Sequence, residues 1–267
     1  MEITTIDVDG VPEQCLSFRI RSDWGHFRKV GRTATKQTYR VIPRTTVAGV
    51  LAAIVGAPRD SYYDVFAPDT SAIAITPTST LRTINIPETV IGTDPDQQTA
   101  QSVGSHYSKS LTYQDSTQDR QIHVYETLVN PTYRIDLAIE DQTFASKLQS
   151  HLEAGTSHYP PSMGLSEHLA TVELISTNTI PTRIENTGMI DIDSVVPGSL
   201  DMTVPQPRVQ YSTERSPGIM EAIPGGRKTV RFDDCMYTPA AESMIRVDPA
   251  KLDMPVVNVG ERTVVFR

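Results

Sequence analysis

Apolar and polar positions alternate at the start of the most informative stretch of the chain, residues 16–56. Leu16, Phe18 and Ile20 fall on one side of an extended segment, and Ser17, Arg19 and Arg21 fall on the other. That period of two predicts a half-buried strand with a basic outer face. After a loop carrying Trp24, His26, Phe27, Arg28 and Lys29, the period changes, and Val47, Val50, Leu51 and Ile54 form one stripe at helical spacing. Pro43 keeps Ile42 out of helical geometry, Thr45 is placed to cap the first amides, and Gly56 stands where a left-handed residue ends a helix, with Pro58 just beyond.

Further along, residues 71–76 and 81–86 read as strands separated by Pro77, with Ile73 and Ile75 on one face. Residues 122–129 and 132–140 read as a hairpin around Asn130-Pro131, because Tyr133, Ile135, Leu137 and Ile139 alternate with Arg134, Asp136 and Glu140. A second helix is expected over 142–154, capped by Asp141, closed by Gly155, and buried through Phe144, Leu148 and Leu152. A loop rich in Pro and Gly then leads into a strand over 168–176. This order of strand, helix, strands, helix and strand is that of an α+β ferredoxin-like domain, here residues 1–176, an arrangement that RNA-recognition folds share. Fold alone does not set function. From 177 to 267 the apolar runs are short and punctuated by Pro and Gly, which predicts a β-rich C-terminal region. Between 87 and 121 Thr, Gln, Ser, Asp and Gly dominate, so this insertion cannot build a core of its own and reads first as a solvated loop.

Composition changes this picture in two ways. The longest apolar run, 47–57, is too short and too clearly capped to span a bilayer, and no basic-then-apolar leader follows Met1, so a cytoplasmic chain without membrane contact is expected. A net charge of −8 argues against nucleic acid as a partner, since phosphate binding needs a basic footprint. The basic residues are clustered, however: Arg19, Arg21, Arg28, Lys29, Arg32, Lys36, Arg40 and Arg44 lie in one stretch with a single acid, Asp23. Arg outnumbers Lys and Asp outnumbers Glu, a bias expected of a proteome in a very salty cytoplasm. At molar salt the screening length is only ~3 Å, so an RNA site there leans on stacking and close contact.

The best candidate site is the loop 24–29. Trp24 and Phe27 can stack on unpaired bases and Arg28 can stack or fork to phosphate, unless the two rings fold back into the core. Arg40 and Arg44 flank the start of the first helix, whose free amides favour an anion, although both also read as ordinary solvated arginines. Gly164, after Met163 in Tyr159-Pro-Pro-Ser-Met-Gly-Leu165, permits close backbone approach or makes a turn. Gly225-Gly226-Arg227-Lys228 reads as a hairpin turn with solvent-facing cations. Cys15 and Cys235 are far apart and in no metal-binding motif, and His151, His158 and His168 form no ligand pattern, so neither metal nor cofactor is expected. No phosphate loop, Ser-His-Asp arrangement or pair of catalytic carboxylates is present.

The loop S-D-W-G-H-F-R, the helix Y-R-V-I-P-R-T-T-V-A-G-V-L and the later Y-P-P-S-M-G-L-S-E-H-L-A-T-V-E-L resemble the Cas-five family of CRISPR-associated proteins, RAMP-superfamily subunits of type I Cascade complexes. The resemblance covers residues 14–57 and 158–176 and is strongest for the haloarchaeal subtype I-B. It implies a non-catalytic subunit that holds the 5′ tag of the crRNA and contacts the backbone, large and crRNA-processing subunits, meeting target DNA only through the complex. Arg21, Trp24, His26, Phe27, Arg28, Lys29, Arg40, Arg44, Met163 and Gly164 would hold the tag. The insertion 87–121, with Tyr107 and Lys109, would be the protruding thumb. A branch of the family cleaves precursor RNA without metal, and His106, Lys109 and Tyr39 supply suitable residue types for that alternative. The adjacent Lys-His pair associated with that branch is missing. A scaffold role without RNA contact is the third expectation.

Overall fold

The structure, a computed structural model, describes residues 5–7, 9–29, 34–91, 120–184, 188–224 and 226–267. In chain order its main elements are β1 (Cys15–Arg21), α1 (Arg44–Val55), β2 (Ser71–Pro77), β3 (Thr83–Ile91), β4 (Arg120–Val129), β5 (Thr132–Ile139), α2 (Gln142–Ala154), β6 (Thr171–Thr179), β7 (Ser212–Ile223), β8 (Gly226–Tyr237), β9 (Val256–Val259) and β10 (Arg262–Val265). The chain is therefore a mixed α+β protein in which strands dominate.

An antiparallel sheet of order β6-β1-β5-β2 carries both helices on one face. Phe18, Ile20, Ile73, Ile75, Tyr133 and Ile135 point to that face and pack against Val47, Leu51 and Ile54 of α1 and Phe144 and Leu148 of α2. The period-two and helical stripes read from the sequence are thus the two sides of one core. At the end of α1 the amide of Gly56, with φ 78°, reaches the carbonyls of Ala52 and Ala53. Its start differs from expectation: Pro43 is the cap residue, no side chain caps the helix, and Thr45 lies inside the first turn. In α2 the Asp141 carboxylate does accept the Phe144 amide, at 2.9 Å.

The sheet's other face is largely covered as well. Val257, Val259, Val264 and Phe266 from the β9–β10 hairpin pack on Cys15, Ala72, Ala74 and Ala138, whose small side chains let the layers approach. Ser17, expected outside, is fully buried and donates to Asp136 at 2.5 Å, while Arg134 holds the same carboxylate at 2.9 Å. The basic outer face therefore shrinks to Arg19 and Arg21, which share Glu173 at 3.4 and 3.0 Å. Burial, with Asp136 nearby, pushes the Cys15 thiol up to about 12.

Two ribbons extend this frame. β3 and β4 pair from Thr83↔Leu128 to Ile91↔Arg120, so the expected insertion begins and ends as an antiparallel ribbon longer than its sequence pattern indicates. His106, Tyr107 and Lys109 lie outside the described residues. The hairpin turn at Gly226-Arg227-Lys228 was expected, but the long first strand of the β7–β8 hairpin was not, because Pro217 and Gly218 interrupt any alternation in β7. Its base carries Cys235 and Tyr237 into the same core as α1.

Candidate nucleic-acid interface

Along α1 the positions Thr46, Gly49 and Ala53 are small and only partly buried, which leaves a shallow floor on one side of the helix. Three segments wall that floor into a groove of about 490 Å³: the backbone around Arg28, the loop from Pro160 to Leu165, and Met220, Arg227 and Thr229 of the β7–β8 hairpin. Thr45 and Thr46 line it at the amino end of α1, whose first turn holds no acidic residue and no capping side chain against the positive end of the helix dipole. Such an end favours phosphate or carboxylate.

Gly164 fixes one wall. With φ +94°, it lies against the His26 carbonyl so closely that a Cβ would meet that oxygen at 2.0 Å. Only Gly allows this approach. The His26 amide in turn donates to the Met163 carbonyl at 3.0 Å and the Met163 amide to the His168 carbonyl at 2.8 Å. Glu214 of β7 fixes the other side. Its buried carboxylate accepts the amides of Arg40 (2.8 Å) and Val41 (3.1 Å) and pairs with Lys29 at 2.9 Å. The amide nest just before α1 is thus filled by the chain's own carboxylate.

The predicted residues separate into three groups. Arg28 is exposed and lines the groove, as Gly164 does. Trp24 is 38% exposed but pairs with Val129 at the foot of the β3–β4 ribbon, outside the groove lining; Arg21 is exposed beside Glu173. Lys29 lies over the Tyr39 ring at 5.2 Å, bound to Glu214, and Arg40 holds Glu126 at 2.8 Å. The third group is buried, although His26, Phe27 and Tyr39 border the groove: Phe27, tilted on Tyr133; Met163; Tyr39; His26; and Arg44. Arg44 corrects the sequence reading most sharply. Its guanidinium donates to the backbone oxygens of Phe66, Ser71 and Arg267 and to the Ser71 hydroxyl, knitting α1 to the start of β2, the turn before it and the segment after β10. Burial pulls its pKa down to about 9.

His26 is held by Nδ1–H donating to the Glu126 carbonyl at 2.9 Å and stands edge-on to Tyr125. Burial lowers its pKa, and burial likewise lowers that of His168 close by. Sequence reasoning missed Glu126, Glu214 and the groove-lining Thr46, Gly49 and Met220. The carboxylates sit far in sequence from the cations they hold, and no local pattern announces them. Arg227 was seen as a solvent-facing turn cation; β8 does begin at the hairpin turn, but Arg227 pairs with Asp60 at 3.0 Å. Among the described residues no group of three His, Cys, Asp or Glu side chains could hold a metal ion, and no helix is long and apolar enough to cross a membrane.

No curated protein matches the chain. In fold it is similar to a chain of a structure titled "CRISPR RNA-guided surveillance complex", with 12% identity, a TM-score of 0.53, and coverage of 87% of this chain and 91% of the other. A CRISPR protein from Archaeoglobus fulgidus aligns at 13% identity and a TM-score of 0.42, over 94% of this chain and 99% of its own. The family model described as CRISPR-associated protein (Cas_Cas5) matches residues 15–153, which span β1, α1, the ribbon and α2. The chain belongs to the Cas5 family of CRISPR-associated proteins.

Proposed function

We propose that this protein is a guide-RNA-binding subunit of a type I CRISPR effector complex, seating the repeat-derived 5′ tag of the crRNA in the groove along α1. The observation that carries the reading is the groove itself: an uncapped helix amino end with two Thr hydroxyls, Arg28 on one wall, and a glycine-pinned loop on another. A backbone phosphate fits the helix end, and the small residues of α1 leave room for an unpaired base. The βαββαβ order of the main sheet supports its reading as a ferredoxin-like RAMP domain, and the β3–β4 ribbon supports a thumb reaching from it. Trp24, at the foot of that ribbon, offers a stacking surface where RNA leaves the groove. The backbone and large subunits of the complex are its protein partners, and target DNA is met through them.

The test uses two variants of the full chain that act differently. Arg28→Ala removes the exposed cation. Gly49→Leu fills the groove without changing charge, and its Cβ, 3.4 Å from the Tyr62 hydroxyl, is sterically admissible. Losing a base or phosphate contact costs about 1–3 kcal/mol, so each variant should retain roughly tenfold less guide RNA than wild type at equal folded content. Wild-type retention by both would overturn the assignment of the groove.

A further inference from the structure

The β7–β8 hairpin is two structures in series. Near its base Glu214, Ser216, Cys235, Met236 and Tyr237 are buried in the body of the protein, whereas from residue 219 to residue 231 Glu221, Ile223, Lys228, Val230 and Arg231 are exposed. The pairing register slips between these halves, at Pro217/Ile219 and again at Ile219/Met220. Pro217 offers no amide to the ladder, and at Gly218 a Cβ would meet the Asp233 carboxylate at 2.1 Å, so the slip has a fixed place. Beyond it, the inner face of the outer half, with Met220, Thr229 and Arg227, stands across the groove from α1.

One ion pair among the described residues ties this outer half to the rest of the molecule. Arg227 Nε meets Asp60 Oδ1 at 3.0 Å, in the loop after α1. Asp60 is presented deliberately: its backbone is left-handed at φ 63°, and the Tyr63 hydroxyl donates to the same carboxylate oxygen at 2.6 Å. The pair joins the groove-lining Arg227 to the loop that follows α1.

We propose that the outer half of the hairpin is a strap, hinged at Pro217–Gly218 and latched by Arg227 to Asp60, that retains single-stranded RNA once it lies in the groove. The inference rests on the groove reading above and adds its regulation. A partly exposed ion pair holds a closed state only weakly, so the strap opens often enough to admit RNA and slows its escape by a small factor. The C-terminal hairpin is then a working wall of the site.

The experiment uses the full chain, a fluorescein-labelled single-stranded RNA bearing the 5′ tag, and two variants. Asp60→Asn keeps a residue that tolerates the left-handed backbone and removes the charge, and Arg227→Gln removes the other partner. Each should speed RNA release about threefold to fivefold, and the double variant should be no faster than either single one. Amide exchange of residues 219–231, read without RNA, should rise by a similar factor while that of 212–216 stays unchanged. Faster release in Arg227→Gln but not in Asp60→Asn would mean that Arg227 touches RNA directly and would overturn the latch, as would unchanged exchange in both. If wild type retains no RNA, the groove reading fails, and exchange alone decides whether the strap is latched.

Discussion

Replacing Glu214 by Ala separates what the fold needs from what the groove needs. The Glu214 side chain is 6% exposed, accepts the amides of Arg40 and Val41, and pairs with Lys29. Ala leaves both amides without an acceptor. A buried amide so orphaned costs about 1–3 kcal/mol. That of Arg40, in a half-buried residue, regains some water, and the Lys29 pair is one-third exposed and adds at most about 1 kcal/mol. A loss of roughly 2–5 kcal/mol follows, which for a chain of this length lowers Tm by about 5–15 °C. Glu214→Gln keeps one acceptor and should lose about half as much. Thermal unfolding followed by circular dichroism measures both. A second reading is sharper: with the carboxylate gone, the two amides and Lys29 form an empty anion nest, so sulfate should raise the Tm of Glu214→Ala by more than that of wild type. A Tm within about 2 °C of wild type, with no extra response to sulfate, would refute the assignment of Glu214 as the internal anion of this nest.

Three further outcomes are expected. Gly164→Ala, facing a 2.0 Å clash with the His26 carbonyl in a left-handed backbone, should cost about 2 kcal/mol more in urea unfolding than Gly155→Ala, whose Cβ meets nothing within 4 Å. His26 and His168 have pKa values lowered by burial, so the unfolded chain takes up protons first as pH falls through about 6.5; stability is retained above that pH and should decline as pH falls below it, and a flat Tm there would contradict their burial. RNA affinity should vary with salt with a log–log slope of only about −0.7, since among the described residues Arg28 is the groove-lining cation that no ion pair holds, and a slope steeper than −4 would point to a different, more basic surface.

The parts of the fold that repeat at short range were legible. β1, α1, β5 and α2 follow from alternation, helical stripes and their closing glycines, and Gly56 and Gly155 stand in the left-handed backbone expected of them. Two kinds of feature were not. The first strand of the β7–β8 hairpin hides because Pro217 and Gly218, which make its slip, are also the residues that ordinarily argue against a strand. The fate of polar side chains hides because it depends on groups brought close only by folding. Ser17 and Arg44 sit in sequence like surface residues, yet Asp136 meets one and the backbone oxygens of Phe66, Ser71 and Arg267 meet the other. Of the loop and glycine candidates, Arg28 and Gly164 line the groove, whereas Phe27 and His26 are buried, because alternation in a short loop does not say which face is dry.

The basic stretch explains how an acidic chain can carry such a groove. Four of its eight cations are engaged by carboxylates from distant elements: Arg19 and Arg21 by Glu173 of β6, Lys29 by Glu214 of β7, and Arg40 by Glu126 of β4. Arg44 is engaged by carbonyls. Each acid ties a different strand to the segment that leads into α1, so a run of charge that reads as a nucleic-acid footprint is first a hub of the fold. Neutralised in this way, it projects little long-range attraction. What remains for a ligand is short-ranged: the helix end, two hydroxyls, Arg28, and walls set by Gly164 and the hairpin. Contacts of that kind are screened far less by salt than a bare basic patch is. Net charge therefore says little about this groove, because paired charges cancel in the count and few of the charges beside the groove are left unpaired.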